Sequence, residues 1–256
     1  MCKIIAIANQ KGGVAKTTTT INLGVGLSKV GKRVMLIDAD PQGHLTMGLG
    51  FPKNLRVTLK TMMENIIMGL EFDPREAILH HEEGIDVIPS NKLLSGMDMS
   101  LFTVEDREKV LKEYLELLEN DYDYILIDAP PTLGGWVMNI LCASDRVIIP
   151  VEASPWGMFG LANMFEFLNE VKQITPELEV AGIAVTKVDT RKSYYKQTME
   201  TLHELEDIHV FEQIIRVDSS VEWSQDNSIP VVEYKKSSRS AREYTRLAEE
   251  VMELCQ

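Results

Sequence analysis

The chain has 256 residues, of which 45% are hydrophobic and 25% are charged, and this ordinary globular composition excludes disordered and fibrous proteins. Its 39 acidic and 26 basic side chains give a formal net charge of −13, which argues against a protein that coats nucleic acid with its whole surface. An α/β chain of this length is expected to form one domain, residues 1–256.

Neither secretion nor membrane spanning is expected. The first apolar run, "KIIAIA", follows the first two residues without a charged leader and cleavage site, and no apolar run approaches 18 residues. The cysteines, Cys2, Cys142 and Cys255, form no C-x-x-C pair, so neither a disulfide framework nor a zinc site is indicated. We therefore expect a protein of the reducing cytoplasm.

Short apolar runs alternate with longer amphipathic segments along the chain. The predicted strands cover 3–8, 33–38, 85–90, 124–130, 146–151 and 180–188. The predicted helices cover 16–30, 105–119, 157–173, 193–206 and 239–254. Because the runs show no alternation of apolar and polar residues, they are typical of strands buried on both faces. The order predicts an α/β fold with a doubly wound, mainly parallel sheet flanked by helices.

Two local features complete the predicted elements. Residues 43–84 give the weakest pattern, with "HLTMGLGFPKN" as a loop and short helices around 58–68 and 74–80. The last helix is expected to open with a capping box formed by Ser240 and Glu243.

The stretch "NQKGGVAKTTTT", residues 9–20, runs from the first strand through a glycine turn into the first helix. Backbone N–H groups at such a helix N-terminus bind phosphate oxygens. Lys16 is expected to neutralise the β- and γ-phosphates, the Thr17 hydroxyl to bind Mg²⁺, and Thr18 to contact the α-phosphate. The nucleotide-binding residues predicted from this pattern are Gly12, Gly13, Val14, Ala15, Lys16, Thr17 and Thr18.

Carboxylates stand at the ends of two later strands. "VMLIDADPQG" presents Asp38 and Asp40, and "YILIDAPP" presents Asp128. Mg²⁺ beside phosphates takes few protein ligands and keeps several waters, and a second carboxylate can polarise an attacking water. The pattern predicts a phosphate and magnesium site at this edge of the sheet.

With these motifs the chain resembles the ParA/Soj partition ATPases of the ParA/MinD group, whose phosphate loop has the deviant form K-G-G-x-x-K-[ST]. "LIDADPQG", "YDYILIDAPPTLG", "ASDRVIIPVEA", "GIAVTKVDTR" and "SRSAREYTRLAEEV" extend the resemblance over nearly the whole chain. One departure is Ala15, where most of the family has glycine. If this position required a positive φ, alanine would cost about 1 kcal/mol, and we expect a working loop.

The resemblance implies an Mg²⁺-dependent ATPase that forms a homodimer around ATP. Lys11 would reach the phosphates held by the other subunit, where an added cation offsets their charge. The implied catalytic residues are Lys11, Lys16 and Asp40, with Asp40 positioning or activating the hydrolytic water. The implied metal-site residues are Thr17, Asp128 and Asp38, the last as a metal-shell or structural carboxylate.

The C-terminal half of the sequence helps to distinguish among the membrane-binding, redox and DNA-binding functions found in this group. The final "RLAEEVMELCQ" is acidic, unlike a membrane-binding amphipathic helix, and paired cysteines for a shared redox cluster are missing from the sequence. "YKKSSRSAREYTR" is basic, and the family associates the positions of Arg191 and Arg216 with non-specific double-stranded DNA, bound in a salt-sensitive way. The predicted DNA-binding residues are Arg191, Lys192, Lys196, Arg216, Lys235, Lys236 and Arg239.

The sequence thus predicts a nucleoid-associated cytoplasmic ATPase that segregates a plasmid, mobile element or chromosome together with a ParB-like centromere-binding protein. One alternative is an ATPase of the same fold that positions another cargo or regulates replication initiation. A GTP-dependent switch is the other, because "VTKVD", residues 185–189, resembles a guanine-recognition segment.

Overall fold

The computed structural model describes residues 2–205 and 207–255 and contains a seven-stranded sheet with the order β3-β4-β2-β5-β1-β6-β7. The strands are β1 Lys3–Ile7, β2 Val34–Asp38, β3 Leu79–His81, β4 Ile85–Ile88, β5 Tyr124–Asp128, β6 Arg146–Glu152 and β7 Glu179–Thr186. Every pair of neighbours is parallel except β3 and β4.

Helices cover both faces of the sheet. They are α1 Lys16–Lys29, α2 His44–Gly48, α3 Leu59–Met68, α4 Met97–Leu101, α5 Val110–Glu116, α6 Gly135–Cys142, α7 Pro155–Ile174, α8 Ser193–His203, α9 Ser219–Asp226, α10 Val231–Tyr234 and α11 Arg239–Leu254. Within the described residues, no helix combines the length and the apolar character needed to span a bilayer.

The two faces of the sheet form two separate hydrophobic cores because successive strand residues point to opposite sides. In β1, Ile4 and Ala6 belong to the core that also contains residues of α3 to α8. Ile5 and Ile7 belong to the other core, with residues of α1, α10 and α11. The predicted doubly wound α/β fold is confirmed.

The connections place a crevice at the carboxyl end of β1. From β1 the chain passes through α1 to β2, which lies beyond β5, whereas from β5 it passes through α6 to β6, on the other side of β1. Ile7 pairs with Asp128, and Asp128 pairs with Asp38. Ligands of open α/β sheets bind at such a point, and the predicted strand-end acids lie there.

The six predicted strands are confirmed, but several other elements differ. The helix predicted around 74–80 is wrong, because these residues form turns and then β3, whose Leu79 pairs with Val87 of β4. The predicted loop from residue 44 contains α2, and α6 was not predicted. The end of the helix predicted over 193–206 falls on residue 206, which lies outside the described residues.

The predicted capping box of α11 is also wrong. Ser238 is the N-cap, and its hydroxyl accepts a hydrogen bond from the Ala241 N–H at 3.1 Å. Ser240 lies inside the helix, and Glu243 binds Arg216 instead of the helix end.

Candidate functional site

The phosphate loop between β1 and α1 presents a series of backbone donors. Lys11 N–H donates to the Asn9 side chain at 2.9 Å, and Thr19 N–H donates to Ala15 O at 2.9 Å. Between them, the N–H groups of 12–18 make no well-formed hydrogen bond to another described residue. A row of unpaired N–H groups at a helix N-terminus is a site for an anion.

The backbone at Ala15 takes the conformation that glycine would favour. Its φ is 66° and its ψ 29°, in the left-handed region, where a side chain costs roughly 1–2 kcal/mol. Gly13, two residues earlier, also has a positive φ, 75°. The position therefore does require a positive φ, and the alanine fits there with strain.

The side chain of Lys16 is held by backbone carbonyl oxygens at the start of the phosphate loop. Its Nζ donates to Asn9 O at 3.0 Å and to Lys11 O at 3.2 Å, and the residue is only 7% exposed. Burial lowers the pKa of the Lys16 ammonium, while Asp128 and Asp40 act in the opposite direction. The cation is thus fixed beside the unpaired N–H groups before any ligand arrives.

Thr17 and Asp128 form the part of the site that suits Mg²⁺. The Thr17 hydroxyl donates to Asp128 Oδ2 at 2.7 Å, and Asp128 Oδ1 is buried without a hydrogen-bond partner among the described residues. Burial, and then the nearby Asp38, raise the pKa of the Asp128 carboxyl well above its usual range. An orphaned carboxylate oxygen beside a hydroxyl fits a hydrated magnesium ion, which takes few direct ligands.

Asp38 and Asp40 have different environments. Asp38 is fully buried, its Oδ2 accepts from both Thr46 N–H at 2.8 Å and Thr46 Oγ1 at 2.6 Å, and its Oδ1 accepts from Asp40 N–H at 3.2 Å. Burial raises the pKa of the Asp38 carboxyl to about 6. Asp40 accepts from Gln42 N–H through one oxygen at 2.9 Å, and its other oxygen has no partner among the described residues. The geometry favours the structural role for Asp38 and leaves Asp40 able to bind a water.

Lys11 is bound within its own chain. Its Nζ lies 2.5 Å from Glu152 Oε2 and 3.1 Å from Ser154 Oγ, and the lysine lowers the pKa of the Glu152 carboxyl. A Cβ at Gly160 of α7 would lie only 3.2 Å from Lys11 Cβ, so α7 packs closely on the loop.

The sequence analysis missed Glu152 and Ser154, and also Gln225. Glu152 ends β6, so the strand-end rule that identified Asp38 and Asp128 would have found it as well. Gln225 of α9 donates to Thr18 Oγ1 at 2.9 Å. No local pattern marks Gln225, because it lies 207 residues from Thr18 in the chain.

The "VTKVD" segment contacts the phosphate loop through Thr186, and its Asp189 forms an ion pair with Arg191. The Thr186 hydroxyl donates to Val14 O of the phosphate loop at 3.0 Å. Arg191 Nε and NH2 donate to the two oxygens of Asp189, each at 2.8 Å, and this lowers the pKa of the Asp189 carboxyl to about 2. Asp189 is therefore ionised and paired with an exposed arginine, a weak, solvent-screened contact that another ligand can replace.

The residues predicted to bind DNA are distributed over three segments. Lys192 and Lys196 lie at the start of α8, and Lys235 and Lys236 precede α11, with Lys236 paired to Glu233 at 3.0 Å. Arg216 and Arg239 meet at Glu243, and Val188, near Arg191, pairs with Arg216. The structure brings Arg216 and Arg239 together directly, and the loop that carries Arg191 lies beside them.

The chain is similar to known proteins over nearly its whole length. Residues 2–180 match an AAA domain family. The chain is 37% identical over 256 residues to the sporulation initiation inhibitor protein Soj of Bacillus subtilis, covering 98% of both chains. It is 34% identical over 253 residues to the chromosome partitioning protein ParA of Caulobacter vibrioides, covering 98% of this chain and 94% of ParA.

One of the similar solved structures was determined with a bound nucleotide. Cobyrinic acid a,c-diamide synthase from Mycobacterium smegmatis, with a bound ATP analogue and magnesium, matches with a TM-score of 0.87 and 30% identity. The match covers 100% of this chain and 96% of the synthase chain.

Proposed function

The chain belongs to the ParA/Soj family of partition ATPases, and on this premise we propose that it hydrolyses ATP with Mg²⁺, dimerises around ATP and segregates DNA. The whole chain would act as one domain. The protein would work in the cytoplasm on the nucleoid, bind double-stranded DNA without sequence preference, and respond to a ParB-like centromere-binding protein.

The unpaired N–H groups of residues 12–18 carry this proposal. Converging N–H groups at a helix N-terminus are positioned to donate to an anion, and triphosphate oxygens would supply the acceptors. Lys16, already fixed at the loop, would hold the β- and γ-phosphates. Gly12, Gly13, Val14, Ala15 and Thr18 would complete the phosphate contacts within the subunit, and Lys11 would contact the nucleotide of the other subunit.

The strand-end acids would divide the chemistry between them. Thr17 and Asp128 would hold Mg²⁺, which supplies positive charge for the developing negative charge on the transferred phosphoryl group. Asp40, through its free oxygen, would orient the attacking water and accept its proton. Asp38 would fix the loop that carries Asp40, because it binds Asp40 N–H and Thr46.

Dimerisation would require Lys11 to leave its own chain. In this structure Lys11 is bound to Glu152 and Ser154, and in the proposed dimer it would reach the phosphates of the other subunit. Two triphosphates in one interface bring together many negative oxygens, so an added cation from each subunit stabilises the pair. ATP would thereby control the oligomeric state.

The basic residues would bind DNA in that dimer. A set of cations repeated on two subunits gives a non-specific, salt-sensitive interaction with phosphates, although the chain as a whole is acidic. The proposed contacts are Arg191, Lys192, Lys196, Arg216, Lys235, Lys236 and Arg239.

Two other functions use the same site. An ATPase of this family that positions another cargo or regulates replication initiation would share every feature described, and the cargo distinguishes it. A GTP-dependent switch would use Asp189, which in this structure is paired with the exposed Arg191. Competition between ATP and GTP for the purified protein tests the nucleotide.

Sedimentation with DNA tests the central claim. The protein is mixed with a long DNA of arbitrary sequence in ATP, in ADP and without nucleotide, and the co-sedimenting fraction is measured. We expect retention only with ATP. Equal retention in all three states would contradict an ATP-controlled DNA-binding dimer.

A further inference from the structure

We propose that Glu243 is a positioning residue for DNA binding, because its buried carboxylate fixes Arg216 at the surface beside Arg239. The inference rests on the proposed function, since it concerns how the chain would present cations to DNA. Glu243 lies on α11 and is itself too deeply buried to contact DNA, at 3% exposed.

The carboxylate of Glu243 is hydrogen-bonded to Arg216 and lies close to Arg239. Its Oε2 accepts from Arg216 N–H at 2.8 Å, and its Oε1 accepts from Arg216 Nε at 2.5 Å. Arg239 Nε lies 4.0 Å from the same Oε1. Both guanidinium groups remain partly exposed, with 39% and 44% of their side chains accessible.

This arrangement orients Arg216 and leaves donors free. Arg216 uses Nε for the carboxylate, and its two terminal nitrogens make no hydrogen bond to any other described residue. A guanidinium held at one edge presents its remaining donors in a fixed plane, which suits phosphate oxygens. A buried carboxylate needs such partners, because an unpaired buried charge is strongly destabilising.

The same place joins three segments of the chain. Val188, three residues before Arg191, pairs with Arg216. Arg239 donates to Val217 O at 2.5 Å, and Ser240 N–H donates to Asp218 Oδ2 at 3.1 Å. Glu243 therefore stands where the Arg191 loop, the 216–218 segment and the start of α11 meet.

Simple electrostatics predicts the opposite effect for Glu243. A carboxylate under a cationic surface repels DNA phosphates, so its removal should strengthen DNA binding. If Glu243 acts by positioning, its removal should weaken DNA binding even though the chain becomes less acidic. The sign of the change distinguishes the two roles.

The test measures DNA affinity of Glu243→Gln in ATP over a series of salt concentrations, for example by fluorescence anisotropy. We expect roughly threefold weaker binding and a salt slope reduced by up to about two, because one arginine contact in each subunit becomes disordered. The matched control is Glu249→Gln, an exposed position of the same helix with the same charge change, which should bind at least as tightly as the parent.

A second variant separates positioning from folding. Glu243→Asp keeps the charge but withdraws the carboxylate from Arg216, and we expect intermediate affinity. Melting temperature and ATP affinity report whether each variant folds. Parental or tighter DNA binding by Glu243→Gln would overturn the inference, and if that variant does not fold, parental binding by Glu243→Asp would do so. Loss of ATP-dependent DNA binding in the parent would instead refute the proposed function.

Discussion

The phosphate loop and the basic surface are organised in opposite ways. In the loop, Lys16 is buried and held by backbone oxygens, while the N–H groups of 12–18 make no well-formed hydrogen bond to another described residue. On the basic surface, Arg191, Arg216 and Lys236 are each paired with an acid and lie at least partly in solvent. One region is prepared for a single ligand, whereas the other offers many weak and replaceable contacts.

The difference predicts how each region responds to mutation. A preorganised site loses most of its affinity with one residue, because the remaining groups are fixed around the missing partner. A surface that neutralises phosphates with several cations loses affinity in small steps.

Lys16→Ala should have the largest effect. We expect ATP affinity to fall by about 100-fold or more, because charge-assisted hydrogen bonds to two phosphates are lost in a buried place. Titration with a fluorescent ATP analogue measures it. Lys11→Ala is the matched control, since it removes a lysine from the same loop and should leave ATP binding by the monomer nearly unchanged. Similar affinities for both variants would remove the distinction between the two lysines.

Asp40→Ala should affect the reaction rather than the affinity. We expect hydrolysis to fall about 100-fold, because the water loses the carboxylate that orients it, while ATP and the dimer persist. Phosphate release and size-exclusion chromatography measure the two properties. Asp38→Asn should instead lower the melting temperature, because both Asp38 oxygens accept hydrogen bonds inside the fold. Hydrolysis at the parental rate by Asp40→Ala would show that its assigned role is wrong.

Arg191→Ala tests the graded response of the basic surface. We expect DNA affinity in ATP to fall roughly threefold while dimerisation is unchanged, because one of several phosphate contacts per subunit is removed. Anisotropy and light scattering measure the two quantities. The variant Lys53→Ala, which changes a lysine outside the predicted DNA-binding set, should bind DNA like the parent. A loss of DNA affinity of about 100-fold for Arg191→Ala, as large as the loss of ATP affinity expected for Lys16→Ala, would contradict the idea that this surface loses affinity in small steps.

Ala15→Gly should have the smallest effect and the opposite sign. Glycine removes the strain of the positive φ but adds freedom to the unfolded chain, so we expect a net gain of about 0.5–1 kcal/mol in the free energy of unfolding. The melting temperature should rise by about 1–3 °C. Ala8→Gly provides the comparison, since Ala8 has no positive φ and is buried, and this substitution should destabilise. A lower melting temperature for Ala15→Gly would show that the strain is relieved elsewhere.

Much of the sheet could be predicted because its strands are buried on both faces. Continuous apolar runs reveal such strands without information about their neighbours. The edge strand β3 has three residues and is not buried, and it depends on pairing with β4. No pattern within these three residues predicts that pairing.

The site was predictable where its residues are close in sequence. The phosphate loop and the acids at the strand ends follow from local patterns, but the partners Glu152 and Gln225 reach the loop from 141 and 207 residues away. The capping box at Ser240 failed for a related reason. The local pattern is present, but Glu243 binds Arg216, which lies 27 residues away in the sequence, instead of capping the helix.

The pair of Lys11 and Glu152 has a consequence for the amount of protein a cell must make. A half-exposed ion pair of this kind stabilises by up to about 1 kcal/mol after solvent screening, which is about fivefold in an equilibrium constant. Each subunit would break this pair when it exchanges it for contacts with ATP. Because two pairs break, the association constant for dimerisation would be lower by up to about 25-fold. The pair would thus raise the protein concentration at which dimers first accumulate, and a neutral residue at 152 would lower it.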